Sequence, residues 1–210
     1  MHDYRLISPR ADEDQEPEEH KEEESAASAD QLIGKMLKTR TILLSGEVNK
    51  PLAERVIRQL LLLEDAGAEP IKVFIDSPGG DADAGYAIFD MMRFIKPDVY
   101  TIGMGLVASA GALILLAAPK ERRIGLPNSH YLIHQPLSGI RGVATEIEIH
   151  AREMEKMRAR INQLIADETG KPLPQVEKDT DRDFWMGAAE AVEYGLLSRI
   201  VTNRAELEPS

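Results

Sequence analysis

One hydroxyl sits in a run of small residues, Ser109 within Gly105-Leu-Val-Ala-Ser-Ala-Gly111. The flanks differ in kind. Val99-Tyr-Thr-Ile-Gly-Met-Gly105 reads as a strand, and Ala112-Leu-Ile-Leu-Leu-Ala-Ala118 as a short buried helix. In open α/β folds, sites gather where the C-terminal ends of strands lead into helices. A serine at such a junction meets free backbone N–H groups of the helix start, which suit a developing oxyanion. Ala108, Ala110 and Gly111 leave room for close approach. The run is similar to a nucleophile elbow, with Val107 where that motif has its first glycine. The competing reading is a turn or cap serine.

A nucleophilic serine needs a base within hydrogen-bond reach. Of five histidines, His2 and His20 fall in an acidic N-terminal stretch, and His150 falls on a long charged helix as a surface residue. His130 and His134 share one strand face by alternation. Pro136 stops that strand, which puts His134 at its C-terminal end, the edge where Ser109 is also expected. The orienting acid stays open among Asp76, Asp81, Asp83, Asp167, Asp179, Asp181 and Asp183. Asp179-Thr-Asp-Arg-Asp183 reads equally as a solvated loop. Ser77-Pro-Gly-Gly80 follows a strand, and its glycines permit positive φ and bare N–H groups toward a ligand. It lacks the lysine and hydroxyl of a phosphate-binding loop, G-x-G-x-x-G does not occur, and no metal-ligand spacing is present.

These residues need a scaffold. Structure is expected from Asp30, with a short helix over 31–38. Strands follow at 41–48, 71–76 and 99–105, and a helix begins at Asn49-Lys-Pro51, where Asn caps and Pro suits the first turn. Leu52, Val56, Leu60 and Leu63 keep helical spacing to Ala66-Gly67. A further helix begins near Asp81, with Ala84, Ile88, Met91 and Ile95 on one face. The order β-α-β-α-β-serine-α implies parallel crossover units in an α/β fold. Two more strands are expected at 122–126 and 130–135. The longest helix opens on Thr145-x-x-Glu148 as a capping box and stops at Gly170-Lys-Pro172. Its Met154, Met157, Ile161 and Leu164 form a stripe for the core or for a neighbouring subunit.

Bulk properties narrow the functions. The 210 residues carry a net charge of −11, which speaks against nucleic acid or an anionic membrane as partner. Residues 1–30 hold eleven acidic and three basic side chains, so the body is near neutral and the N-terminal stretch reads as a solvated tail. The absence of cysteine rules out a thiolate nucleophile and fits a reducing compartment. The apolar stretch from Val99 to Pro119 is broken by glycines, and the N-terminus lacks the pattern of a signal peptide. A cytoplasmic protein is the expectation.

Eight fragments keep one order and spacing: Ile75-Asp-Ser-Pro-Gly-Gly80, Phe94-Ile-Lys-Pro-Asp98, Gly103-Met-Gly-Leu-Val-Ala-Ser-Ala-Gly111, Leu126-Pro-Asn-Ser129, Ile133-His-Gln-Pro136, the stretch Ala144 to Glu153, Asp179 to Asp183, and Ala191-Val-Glu-Tyr-Gly195. Together, from Met36 to Arg204, the chain resembles the proteolytic subunit of the Clp protease. The resemblance implies Ser109 as nucleophile, His134 as general base and Asp183 as the acid that orients it, a chain order that differs from α/β-hydrolases, chymotrypsin-like and subtilisin-like enzymes. It implies N–H groups of Gly80 and Ala110 as oxyanion hole, and Asp81, Leu137, Ser138 and Gly139 as residues that hold substrate as an added strand.

By the same resemblance, the fold is a crotonase-like β-α superhelix whose long helix and a strand protrude as a handle. Domains divide into an acidic tail over 1–30, a protease domain over 31–204 and a C-terminal tail over 205–210. Two heptameric rings stack, with Asp181 and Arg182 as an inter-ring pair. Apolar residues near Phe74 dock a hexameric ATPase, which consumes the ATP; the chain itself takes no cofactor or metal, and its substrates are polypeptides. The sequence departs from the family at its long acidic N-terminus, where Tyr4-Arg-Leu-Ile7 is the candidate strand, and at Asp76, a common asparagine position. Two other readings are a crotonase-type acyl-CoA enzyme, which needs no serine–histidine pair, and a non-proteolytic ring subunit.

Overall fold

Alternating burial along Ile71–Ser77 marks the first fully committed strand: Ile71, Val73, Ile75 and Ser77 are buried and the residues between are half-buried. The computed structural model describes residues 33–207, and the elements below all lie in the compact unit that starts at Leu37. Strands β1 (Thr41–Ser45), β2 (Ile71–Ser77), β3 (Val99–Ala108), β4 (Arg123–Gly125) and β7 (Arg199–Ile200) run side by side in that order. All these neighbours are parallel. Strand β5 (His130–Ile133) pairs parallel with β3, and β6 (Phe184–Gly187) pairs antiparallel with β5.

The helices are α1 (Lys50–Ala66), α2 (Ala82–Phe94), α3 (Ala110–Leu115), α4 (Ala144–Thr169), α5 (Leu173–Asp179) and α6 (Ala188–Tyr194). Helix α1 starts as its sequence predicts: Asn49 accepts a hydrogen bond from Leu52 N at 2.9 Å, and Leu52, Val56, Leu60 and Leu63 are buried. Helix α4 departs from expectation. Its first residue is Ala144, Val143 stands at the cap, and no side chain caps it. Ile147 N bonds Val143 O at 3.1 Å, so Thr145 lies inside the first turn and the expected capping box is not used. The helix stops at Gly170, which is left-handed at φ 75°. The sequence stretch 1–32, with the acidic tail and Tyr4–Ile7, lies outside the described residues.

The expected strand over 99–105 runs on to Ala108, and it changes partner on the way. Thr101–Gly103 pairs with β4, whereas Leu106–Ala108 pairs with β5. Gly105, at φ 54°, makes the bend. The register against β2 shifts there, from Ile75 opposite Gly103 to Ser77 opposite Val107. Asp76 holds the bend by accepting the Leu106 N–H at 3.0 Å. A Cβ on residue 105 would stand 2.6 Å from Asp76 Oδ1. The strand expected over 41–48 also divides: β1 ends at Ser45, and Val48 instead bridges to Gly80.

Helix α3 is buried at every position, so no solvent satisfies the carbonyls beyond its end. Two arginines do so. Arg93 donates to Leu116 O and Ala117 O, both at 3.1 Å, and Arg123 donates to Ala118 O at 2.6 Å. Arg123 is fully buried. Burial pulls its guanidinium pKa down, and the Glu168 carboxylate works the other way. Glu168, near the end of α4, binds Arg123 and lies 2.5 Å from Arg93. An uncompensated buried charge costs about 3–5 kcal/mol. Glu168→Ala is therefore expected to lower the thermal unfolding midpoint by roughly 10 °C; a change of a degree or two in a melting curve would contradict this account.

Candidate active site

The turn after β3 carries Ser109 in a backbone state that L-residues rarely adopt, φ 54° and ψ −118°. Such strain costs about 1–3 kcal/mol and persists only where neighbours over-determine it. The neighbours here are specific. Ser109 N–H donates to Leu132 O of β5 at 2.9 Å, which ties the serine two residues from His134. On the other side lies Gly79, where a Cβ would stand 2.6 Å from Ser109 Cβ, 2.7 Å from Ala108 O and 3.0 Å from Ala110 N. The side chain of Ser109 makes no cap to α3. The N–H of Ala110 belongs to the first turn, where a helix offers no internal acceptor.

Gly80 is reached by a different route. In its parallel bridge to Val48, the amide of Val48 donates to Gly79 O and the amide of Asp81 to Val48 O, both at 2.8 Å. That pattern leaves the N–H of Gly80 itself directed away from Val48. Ser77 steadies the loop through Oγ, which donates to Gly46 O at 2.6 Å and accepts from Gly79 N at 3.1 Å. Asp81 caps α2 by accepting the Ala84 N–H at 2.7 Å.

His134 follows the last residue of β5, and its Nδ1 lies 3.0 Å from Asp183 Oδ1. A carboxylate only accepts, so Nδ1 carries the proton and Nε2 is left as the basic nitrogen. Ser109, His134, Gly80 and Ala110 all line one cavity of about 590 Å³. Part of its lining is apolar and comes from two helices: Leu113 of α3 and Leu116 just after it, with Met154, Met157 and Ile161 of α4. Asp81, Leu137 and Ser138 line the same cavity. A Cβ on Gly139 would meet open space. Among the described residues, no group of three or more acidic, His or Cys side chains is arranged to hold a metal.

Asp76, Asp167, Asp179 and Asp181 have separate partners. Asp76 holds the β3 bend, and Asp167 accepts from Gln163 at 2.7 Å. Asp179 accepts the Tyr194 hydroxyl at 3.0 Å, and burial together with Asp179 pushes that phenol's pKa up. Asp181 lies 3.2 Å from Arg158 and 3.9 Å from Arg182, whose side chain is exposed. Asp83 lines the cavity at the first turn of α2. His130 stays exposed opposite Gly187. His150 departs from its expected surface role: it lines the cavity, and its Nε2 lies 2.9 Å from Ser138 Oγ. The charged sequence around it hid this placement, because it depends on Ser138, from the segment after β5, coming beside α4.

Two residues passed over in the sequence join the site. The Gln135 N–H donates to Thr180 O, and its side-chain amide donates to Asp181 O, both at 2.7 Å. Thr180 Oγ1 lies 2.8 Å from Asn162 Oδ1 of α4. The one sequence signal for Gln135 was its place beside a candidate base.

A mostly parallel α/β sheet that brings a serine and a histidine to one cavity, with an aspartate bonded to the histidine, is the make-up of a serine hydrolase. The sequence profile described as Clp protease matches residues 22–204. The chain is 68% identical over 179 residues to the ATP-dependent Clp protease proteolytic subunit 2 of Treponema denticola, covering 85% of this chain and 90% of that protein. It is 58% identical over 199 residues to the subunit of the same name from Treponema pallidum, with 94% and 98% covered. A solved mutant of ClpP1 from Listeria monocytogenes is 51% identical, with a TM-score of 0.79 over 84% of this chain and 99% of that one. The chain belongs to the Clp protease family. It is a protease subunit of the ClpP type, a serine peptidase, and the acyl-CoA and non-proteolytic readings fall away.

The glycine at 79 is needed twice, for φ 92° and for the space beside Ser109. Gly79→Ala is expected to displace the serine turn, with peptide hydrolysis lower on the order of 100-fold and the thermal midpoint lower by several degrees. Wild-type turnover by that variant would show that the turn tolerates the extra carbon.

Proposed function

We propose that the chain is the peptidase component of a self-compartmentalised, ATPase-dependent protease, and that Ser109, His134 and Asp183 are its catalytic triad. The observation that carries this is the 3.0 Å contact of Asp183 with His134 Nδ1, with His134 and Ser109 both lining one cavity. Asp183 holds the imidazole in the tautomer whose Nε2 is free. Ser109 Oγ attacks the scissile carbonyl, and His134 takes its proton. The N–H groups of Gly80 and Ala110 receive the oxyanion. His134 then returns the proton to the leaving amine, and water hydrolyses the acyl-enzyme.

Substrate is an unfolded polypeptide, held as an added strand between the Gly80–Asp81 segment and Leu137, Ser138 and Gly139. Main-chain pairing of this kind makes few demands on side chains. The apolar wall of α3 and α4 then receives an apolar residue at the cut. The proposed assembly is two stacked heptameric rings, with Asp181 and Arg182 meeting across the ring interface. A hexameric Clp ATPase consumes the ATP and docks near Phe74, and this chain takes no cofactor. Residues 31–204 form the protease domain in this reading, 1–30 and 205–210 are its tails, and the setting is the cytoplasm. Among the described residues, no helix is long and apolar enough to cross a membrane.

A serine-reactive phosphonate is expected to add one mass increment per chain, at Ser109. Ser109→Ala should lose both label and peptide hydrolysis, and Asp183→Ala should lower turnover by about 10²–10⁴-fold. Native mass of the labelled assembly reports the ring stoichiometry in the same experiment. Normal turnover by Ser109→Ala would sink the assignment.

A further inference from the structure

Asp183 has little of its own to hold it. Its side chain is 60% exposed, and it sits between the end of α5 and the start of β6, outside any helix or strand. An exposed aspartate on a loop samples several positions unless its backbone is fixed elsewhere. The fixing contacts come from Gln135, the residue after His134. Its N–H donates to Thr180 O and its side-chain amide to Asp181 O, each at 2.7 Å. One residue thus grips two successive carbonyls of the acid's loop, while its neighbour bonds the acid.

The grip has a buried anchor. Thr180 is fully buried, and its hydroxyl lies 2.8 Å from Asn162 Oδ1 and 2.9 Å from Val176 O. Asn162 is 2% exposed and belongs to α4, whose adjacent Ile161 lines the cavity. Buried hydrogen-bonded groups of this kind are costly to leave unpaired, so they select one arrangement.

We infer that Gln135 is a positioning residue that sets Asp183 against His134, anchored through Thr180 to Asn162 on the long helix. This rests on the reading of His134 and Asp183 as base and orienting acid. Gln135 is neutral, so its removal changes the geometry of the loop and adds no charge to the site. Its whole effect on turnover runs through the acid.

The test uses the full-length protein and a fluorogenic peptide. Gln135→Met keeps the length of the side chain and removes the donor. It is expected to lower kcat by about 10–100-fold with KM within about twofold, to slow phosphonate labelling of Ser109 in proportion, and to leave the native mass unchanged. In a cycle with Asp183→Ala, the double variant is expected to be no slower than Asp183→Ala alone, since the two act as a unit. Thr180→Val should lower kcat in the same way and Thr180→Ser restore it, which covers a Gln135→Met protein that fails to fold. Wild-type kcat in Gln135→Met, or losses that multiply in the double variant, would overturn the inference and leave the triad standing. Full activity in Asp183→Ala would overturn the triad reading, and this inference with it.

Discussion

Strand β3 must serve two neighbours, and the site exists because it bends between them. Its first half pairs with β4 and its last three residues with β5. A straight strand would carry Ser109 onward along β4. The bend at Gly105, held by the Asp76 carboxylate on Leu106 N–H, sends it to β5 instead. There Leu132 O takes the Ser109 amide, and His134 is two residues away. Only glycine suits the bend, since a Cβ would run into the carboxylate that stabilises it.

The strain at Ser109 is sustained from both ends of α3. In front, Gly79 packs against the serine turn with no space for a larger residue. Behind, Arg93 and Arg123 hold the carbonyls that follow the helix, and Glu168 balances both charges. With all six residues of α3 buried, the helix has nowhere to relax, so the strain stays where the hydroxyl is. A buried ion pair contributes little net stability by itself. Its value here is positional, because it fixes a helix too short to be stable alone.

Helix α4 connects the parts of the site that are far apart in sequence. Its N-terminal side brings His150 beside Ser138, its middle supplies the cavity wall, and Asn162 reaches the loop of Asp183. Glu168 then closes the charge network behind α3. Most of its remaining surface is exposed, which suits a helix that is proposed to meet other subunits.

Much of the α/β scaffold was legible because its signals are local. The Asn49 cap, the Leu52–Leu63 spacing, the alternation of Ile71–Ser77 and the stop at Gly170 each depend on a few neighbouring residues. Ser109 and His134 were legible as candidates because each stands at the end of a recognisable strand. The choice of acid was not, since seven aspartates look alike in sequence and only their partners separate them. Nor could local pattern reveal that β3 continues past Gly105, that Thr145 would lie inside its helix, or that His150 would face the cavity. Sequence by itself determined which chemical groups are available and the short elements that carry them. The partner change of β3, the contact of Asp183 with His134 and the hold of Gln135 on its loop were decided only by tertiary structure, because each depends on hydrogen bonds between segments about 25–50 residues apart.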